Sequence, residues 1–97
     1  MKEVVYLLLQ KQIEDLHKDE KIVSFAIQRI DQKKWLPLFF VKEGNEVIKC
    51  SLRLQVNKEV RTWADLRLLT KFLIELFGVE RCELLLTDFK LPVDGDT

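Results

Sequence analysis

An α+β fold is predicted by three features of the chain. Thr62 to Gly78 carries apolar residues at helical spacing between a cap and a stop. Val47 to Asn57 alternates apolar and polar side chains. Two short polar connections, residues 31–34 and 43–46, separate runs rich in strand-forming residues at hairpin length. Together they predict a helix, a three-stranded antiparallel meander, a second helix and a last strand, with the helices packed on one face of the sheet. Residues 1–91 are expected to form a single α+β domain, and 92–97 a flexible C-terminal tail.

Taken in order, Val5, Leu9, Ile13 and Leu16 share one helical face, so residues 2–18 read as a first helix. Its opening, Val4 to Leu9, is apolar all round. Residues 3–9 therefore fit a strand equally well, because periodicity cannot separate the two over so short a run. Ile22 to Ile30 is the first strand, with Val23, Phe25 and Ile27 alternating with Ser24, Ala26 and Gln28. Trp35 to Lys42 is the second, apolar on both faces. Pro37 lies inside it and cannot donate to a ladder, which predicts an edge strand or a bulge.

The third strand, Val47 to Asn57, places Ile48, Cys50, Leu52, Leu54 and Val56 on a core face and Lys49, Ser51, Arg53, Gln55 and Asn57 in water. In the helix that follows, Thr62 is the expected N-cap and Trp63 sits in the first turn. Leu66, Leu69, Leu73, Leu76 and Phe77 make its apolar stripe, and Gly78 stops it. Glu80 to Phe89 reads as the last strand, free to pair at either edge of the meander. Pro92, Gly95, Asp94 and Asp96 give the tail no reason to pack.

The composition narrows the function. The chain has 97 residues, 47% hydrophobic and 33% charged, which suits one globular domain. Sixteen basic residues balance sixteen acidic ones, and residues 1–48 and 49–97 each hold eight of either sign. A global basic footprint for nucleic acid or an anionic membrane is thus missing. No apolar run approaches the ~20 residues of a membrane span. The N-terminal run lacks a small-residue cleavage site, so a cytoplasmic protein is expected.

Chemistry is sparsely provided. Cys50 and Cys82 are too few for a disulfide scaffold or a zinc knuckle, and are expected to be buried thiols. The single histidine, His17, stands in a charged turn without a nucleophile beside it. With Asp15 or Glu20 it makes too small a set for a metal. Gly44, Gly78 and Gly95 are isolated, so no phosphate loop is present. Asp65 and Glu75 would lie about 15 Å apart along a helix, too far for an acid–base pair. Asp88 is expected to mark where the last strand leaves the core. No catalytic residue, cofactor or metal site is assigned, and the chain is expected not to be an enzyme.

What remains is an excess of apolar residues. A four-stranded sheet covered on one face should leave the other wet, yet Trp35, Phe39 and Val41 would then be exposed together, unless the first helix or its apolar start covers that face within the chain. These three, with Trp63, are the candidate interface or pocket residues. The leading expectation is a small protein-interaction or adaptor module, non-enzymatic and self-associating, with a homodimer or another protein as partner. The first alternative is an apolar-ligand-binding domain with a pocket lined by Trp35, Phe39, Trp63 and Phe77. The second is an RNA- or DNA-binding module. The order helix, three strands, helix resembles that of double-stranded-RNA-binding domains, which implies phosphate contacts from a basic helix start. Here that helix opens Thr62-Trp63-Ala64-Asp65, and only Lys49 and Arg53, with Arg29, offer a basic stripe.

Overall fold

A computed structural model describes residues 4–89. It is an α+β fold with two helices and a five-stranded mixed sheet. The elements are β1 (Val5–Leu8), α1 (Gln10–Lys18), β2 (Ile22–Ile30), β3 (Lys34–Glu43), β4 (Glu46–Leu52), α2 (Leu66–Phe77) and β5 (Glu83–Leu85). Across the sheet the order is β1-β4-β3-β2-β5. The expected meander is its centre, with β3 antiparallel to both β2 and β4. A parallel strand is added at each edge: β1 beside β4, and β5 beside β2. Four strands therefore share a direction, and β3 alone opposes them.

This arrangement resolves the ambiguous start of the chain. Residues 5–8 are a strand, and the first helix begins only at Gln10, not at residue 2. An edge strand packed in parallel register, Val5 opposite Lys49 and Leu8 opposite Leu52, explains why this run is too apolar for a surface helix. Helix α1 then crosses from β1 to β2, and α2 crosses from β4 to β5. Each crossing skips two strands in the same sense.

Both helices cover one face. Ile13 of α1 and Leu69, Leu73 and Phe77 of α2 share a core cluster with Ile27, Phe39, Val41, Cys50 and Leu52 of the sheet. Rings make its centre: Phe39 lies 5.2 Å from Phe77 and 5.8 Å from Phe25, centroid to centroid. The other face was expected to be wet and is not. Val5, Ala26, Leu36 and Leu38 are buried there, flanked by half-buried Val60, Leu85 and Phe89. Two polar side chains buried on it have their partners. The Ser51 hydroxyl donates to the Pro37 carbonyl, and Gln28 Nε2 donates to the Thr87 carbonyl at 2.8 Å.

Pro37 lies in the central strand, not at an edge. The ladder with β4 runs from Phe39 to Glu43, and Trp35 pairs instead with Trp63. Alternation along an antiparallel strand aims the position-37 nitrogen at the same flank as those of Trp35 and Phe39. That flank is interrupted at Pro37, so the missing donor costs no ladder bond.

The turns follow local chemistry. Asp31 and Gln32 both take positive φ, 46° and 64°, as a type I′ hairpin requires. Glu43 pairs with Glu46 across a two-residue loop whose first member, Gly44, has φ 61°. The third strand is shorter than expected. After Leu52 the chain turns through residues 54–59 and returns, with Arg61 N–H donating to the Leu52 carbonyl at 2.8 Å. Leu54 and Val56, assigned to the core face, are exposed instead.

The second helix starts three residues after the expected cap. Asp65 is the N-cap, its carboxylate accepting from the Arg67 N–H at 2.9 Å, while Thr62 to Ala64 precede the helix. Gly78 closes it in the left-handed conformation, φ 61°, as expected. The last strand is only Glu83–Leu85, on the β2 edge. The expected tail, 92–97, lies outside the described residues.

Candidate functional site

The four candidate residues do not form a surface together. Phe39 and Val41 are core residues under the helices, 0% and 2% exposed. Trp35 and Trp63 are half-buried and form a hydrogen-bonded pair, each N–H donating to the other's carbonyl at 2.8 Å. Trp63 is thus part of a β-bridge before α2, not of its first turn. Of the residues expected to line a pocket, Phe39 and Phe77 pack ring to ring in the core at 5.2 Å, with Trp35 and Trp63 packed against that cluster.

Excess apolar surface is found elsewhere, on α2. Eight of its twelve residues are apolar. Leu69, Leu73 and Phe77 satisfy the core, yet Leu68, Ile74 and Leu76 are 57%, 58% and 40% exposed. Leu68, Phe72 and Leu76 are spaced by four and make one outer stripe. Trp63 extends it, its ring 4.9 Å from that of Phe72. The Arg61 guanidinium lies 4.6 Å from the centroid of Trp63 and 5.0 Å from that of Phe72, a cation–π clamp on both. Arg67, Lys71 and Glu75 border the stripe with charges of both signs. The sequence already held this signal, since Leu68 and Ile74 fall off the core stripe of an ideal helix.

Arg61 also lines a cleft of about 220 Å³ between the start of α1 and residues 52–61, with Gln10, Lys11, Arg53 and Gln55. Arg61 Nη1 donates to Gln10 Oε1 at 2.9 Å, and Gln10 Nε2 donates to Glu14 at 2.8 Å. Arg53 Nη1 reaches the Leu54 and Asn57 carbonyls at 3.3 and 3.4 Å. The expected basic stripe is split, because Arg29 is on the far side of the sheet, paired with Asp88 at 3.0 Å. That pair has a structural use. Asp88 also accepts from the Gln32 N–H at 3.1 Å and Phe89 N–H donates to the Arg29 carbonyl, so the chain after β5 is pinned to the first hairpin.

The remaining reactive groups are structural or isolated. His17 is in the last turn of α1, not in a loop, with its ring edge-on to Phe77 at 5.3 Å. Cys50 is buried, and desolvation, with the Glu43 charge second, pushes its thiol up to about 11. Cys82 is exposed, against expectation. Among the described residues no group of three His, Cys, Asp or Glu is placed to hold a metal ion, and no helix is long and apolar enough to cross a membrane. Comparison with protein-family models, with curated proteins and with solved structures returns no match.

Proposed function

We propose that this chain is a non-enzymatic protein-interaction module that self-associates through the outer face of α2. One observation carries the reading: a helix with its core stripe already satisfied also exposes Leu68, Ile74 and Leu76. A helix that exposes apolar side chains beyond its core stripe has surface to bury, and here a second subunit supplies the missing cover. The stripe suits an isologous contact. Two antiparallel copies of α2 place Lys71 of each near Glu75 of the other while Leu68, Phe72 and Leu76 interdigitate. The half-buried rings of Trp63 and Phe72 are the anchors such interfaces favour. Two cysteines without a disulfide suit a reducing compartment such as the cytoplasm.

Size-exclusion chromatography with light scattering tests the proposal. The chain is expected to run as a dimer at micromolar concentration, and Leu68→Glu with Leu76→Glu as a monomer with unchanged circular dichroism. A chain that stays monomeric at millimolar concentration, or a dimer indifferent to both substitutions, overturns it.

A further inference from the structure

We propose that the cleft between the start of α1 and residues 52–61 binds a phosphate group carried on a small molecule. The chain's other arginines are either paired with a carboxylate or, as Arg81 is, exposed on the surface. Arg29 has Asp88 at 3.0 Å, and Arg67 has Asp65 at 3.2 Å. Arg53 and Arg61, both half-buried and lining the same cleft, have no carboxylate partner among the described residues. No acid lines the cleft. Two guanidinium groups lining one cleft without an acid among its walls leave a place that an anion completes.

The cleft is also preorganised. Arg61 is clamped on Trp63 and Phe72, and its Nη1 is held by Gln10, whose amide is itself oriented by Glu14. The rest of its donor fork is left to a ligand. Arg53 is held at the cleft by two long contacts to loop carbonyls. A planar guanidinium fork matches two phosphate oxygens, and two forks in one cleft select a tetrahedral oxyanion over a halide. Lys11 adds a third cation whose present partner, Asp15 at 3.3 Å, is an exposed pair worth little. About 220 Å³ is below the roughly 300–1,000 Å³ of sites for drug-sized ligands, so a phosphate with a small substituent fits and a large cofactor does not.

The full chain is titrated with inorganic phosphate, with glycerol 3-phosphate and with a short single-stranded oligonucleotide. Amide chemical shifts and thermal melting are followed against sodium chloride at matched ionic strength. Saturable shifts at residues 9–11, 53–55 and 61 with phosphate or glycerol 3-phosphate are expected, absent with chloride. Arg53→Gln is expected to weaken binding about tenfold or more. Arg61→Lys, which keeps the charge and loses the fork, is expected to weaken it as well. No saturable response to either phosphate compound, or the same affinity in Arg53→Gln, overturns the proposal. Binding confined to the oligonucleotide also overturns it, in favour of a nucleic-acid contact. The titrations and Arg53→Gln do not depend on α2 association, because Arg53 lies off the α2 stripe, whereas Arg61→Lys, whose guanidinium stacks on Trp63 and Phe72, is read with light scattering beside it.

Discussion

Helices α1 and α2 cover the same face of the same sheet, yet they are built differently. Nine-residue α1 buries one side chain, Ile13, and turns Lys11, Gln12, Asp15 and Lys18 to solvent. Twelve-residue α2 buries three and still exposes Leu68, Ile74 and Leu76. Their ends differ as well. Asp65 caps α2 with a carboxylate, whereas the N-cap of α1 is Leu9, whose N–H is met by the Gln12 side chain at 2.8 Å. Covering a sheet takes one apolar stripe. The α1 sequence stops there, and α2 carries a second stripe that folding of this chain does not use.

The inner faces are the place to break that comparison with the largest effect. Ile13→Ala and Leu73→Ala are each expected to cost about 2–5 kcal/mol in urea unfolding, since both are closely packed in one cluster. A loss below about 1 kcal/mol for Ile13→Ala would remove α1 from the shared core. The outer faces separate the helices more sharply. Leu68→Glu is expected to change the association state and leave the fold intact, while Lys18→Glu on α1 changes neither, as light scattering and circular dichroism will show.

The helix starts give the smallest effect. Asp65→Ala is expected to lower the melting midpoint by a few degrees at neutral pH, through loss of the cap. The side-chain hydrogen bond from Arg67, then its backbone N–H, hold the Asp65 carboxyl below the ordinary carboxylate value. A carboxylate whose pKa is lowered on folding stabilises above its unfolded value, about 3.9, and loses that contribution as pH falls through the folded one. The wild-type advantage over Asp65→Ala should therefore fade on acidification below about pH 4. A difference that stays constant to pH 2 would mean that the charge plays no part.

Much of the central architecture was legible in the residues. Ile22–Ile30 forms where alternation places it, and Ile48, Cys50 and Leu52 face the core. Gly78 stops α2 because a left-handed closure favours glycine. The departures share a cause: partners distant in sequence. Nothing local to Pro37 tells that its flank would be interrupted between β4 and Trp63. Nothing local to Val5 tells that β4 would adopt it as a parallel neighbour. Beyond Leu52 the returning chain bridges Arg53 through Val60, while the Arg53 N–H continues the pairing with β1 by bonding the Leu8 carbonyl at 3.0 Å. The excess of apolar residues is visible in the sequence but its place is not: Phe39 and Val41 are core, Leu76, assigned to the core stripe, is 40% exposed, and Leu68 and Ile74 lie off that stripe. A strand apolar on both faces is what a strand at the centre of a two-sided core needs.

The lone reversed strand, β3, has a kinetic corollary. Its two pairings close through loops of two or three residues, so the three-stranded centre can assemble early and locally. The flanking parallel strands must wait, because Val5 meets Lys49 and Ala26 meets Glu83, roughly half the chain away. Native-state amide exchange should then rank β3 as the slowest to open, with β1 and β5 detaching first as units of low local stability. Equal protection across all five strands would instead mark the sheet as a single cooperative unit from edge to edge.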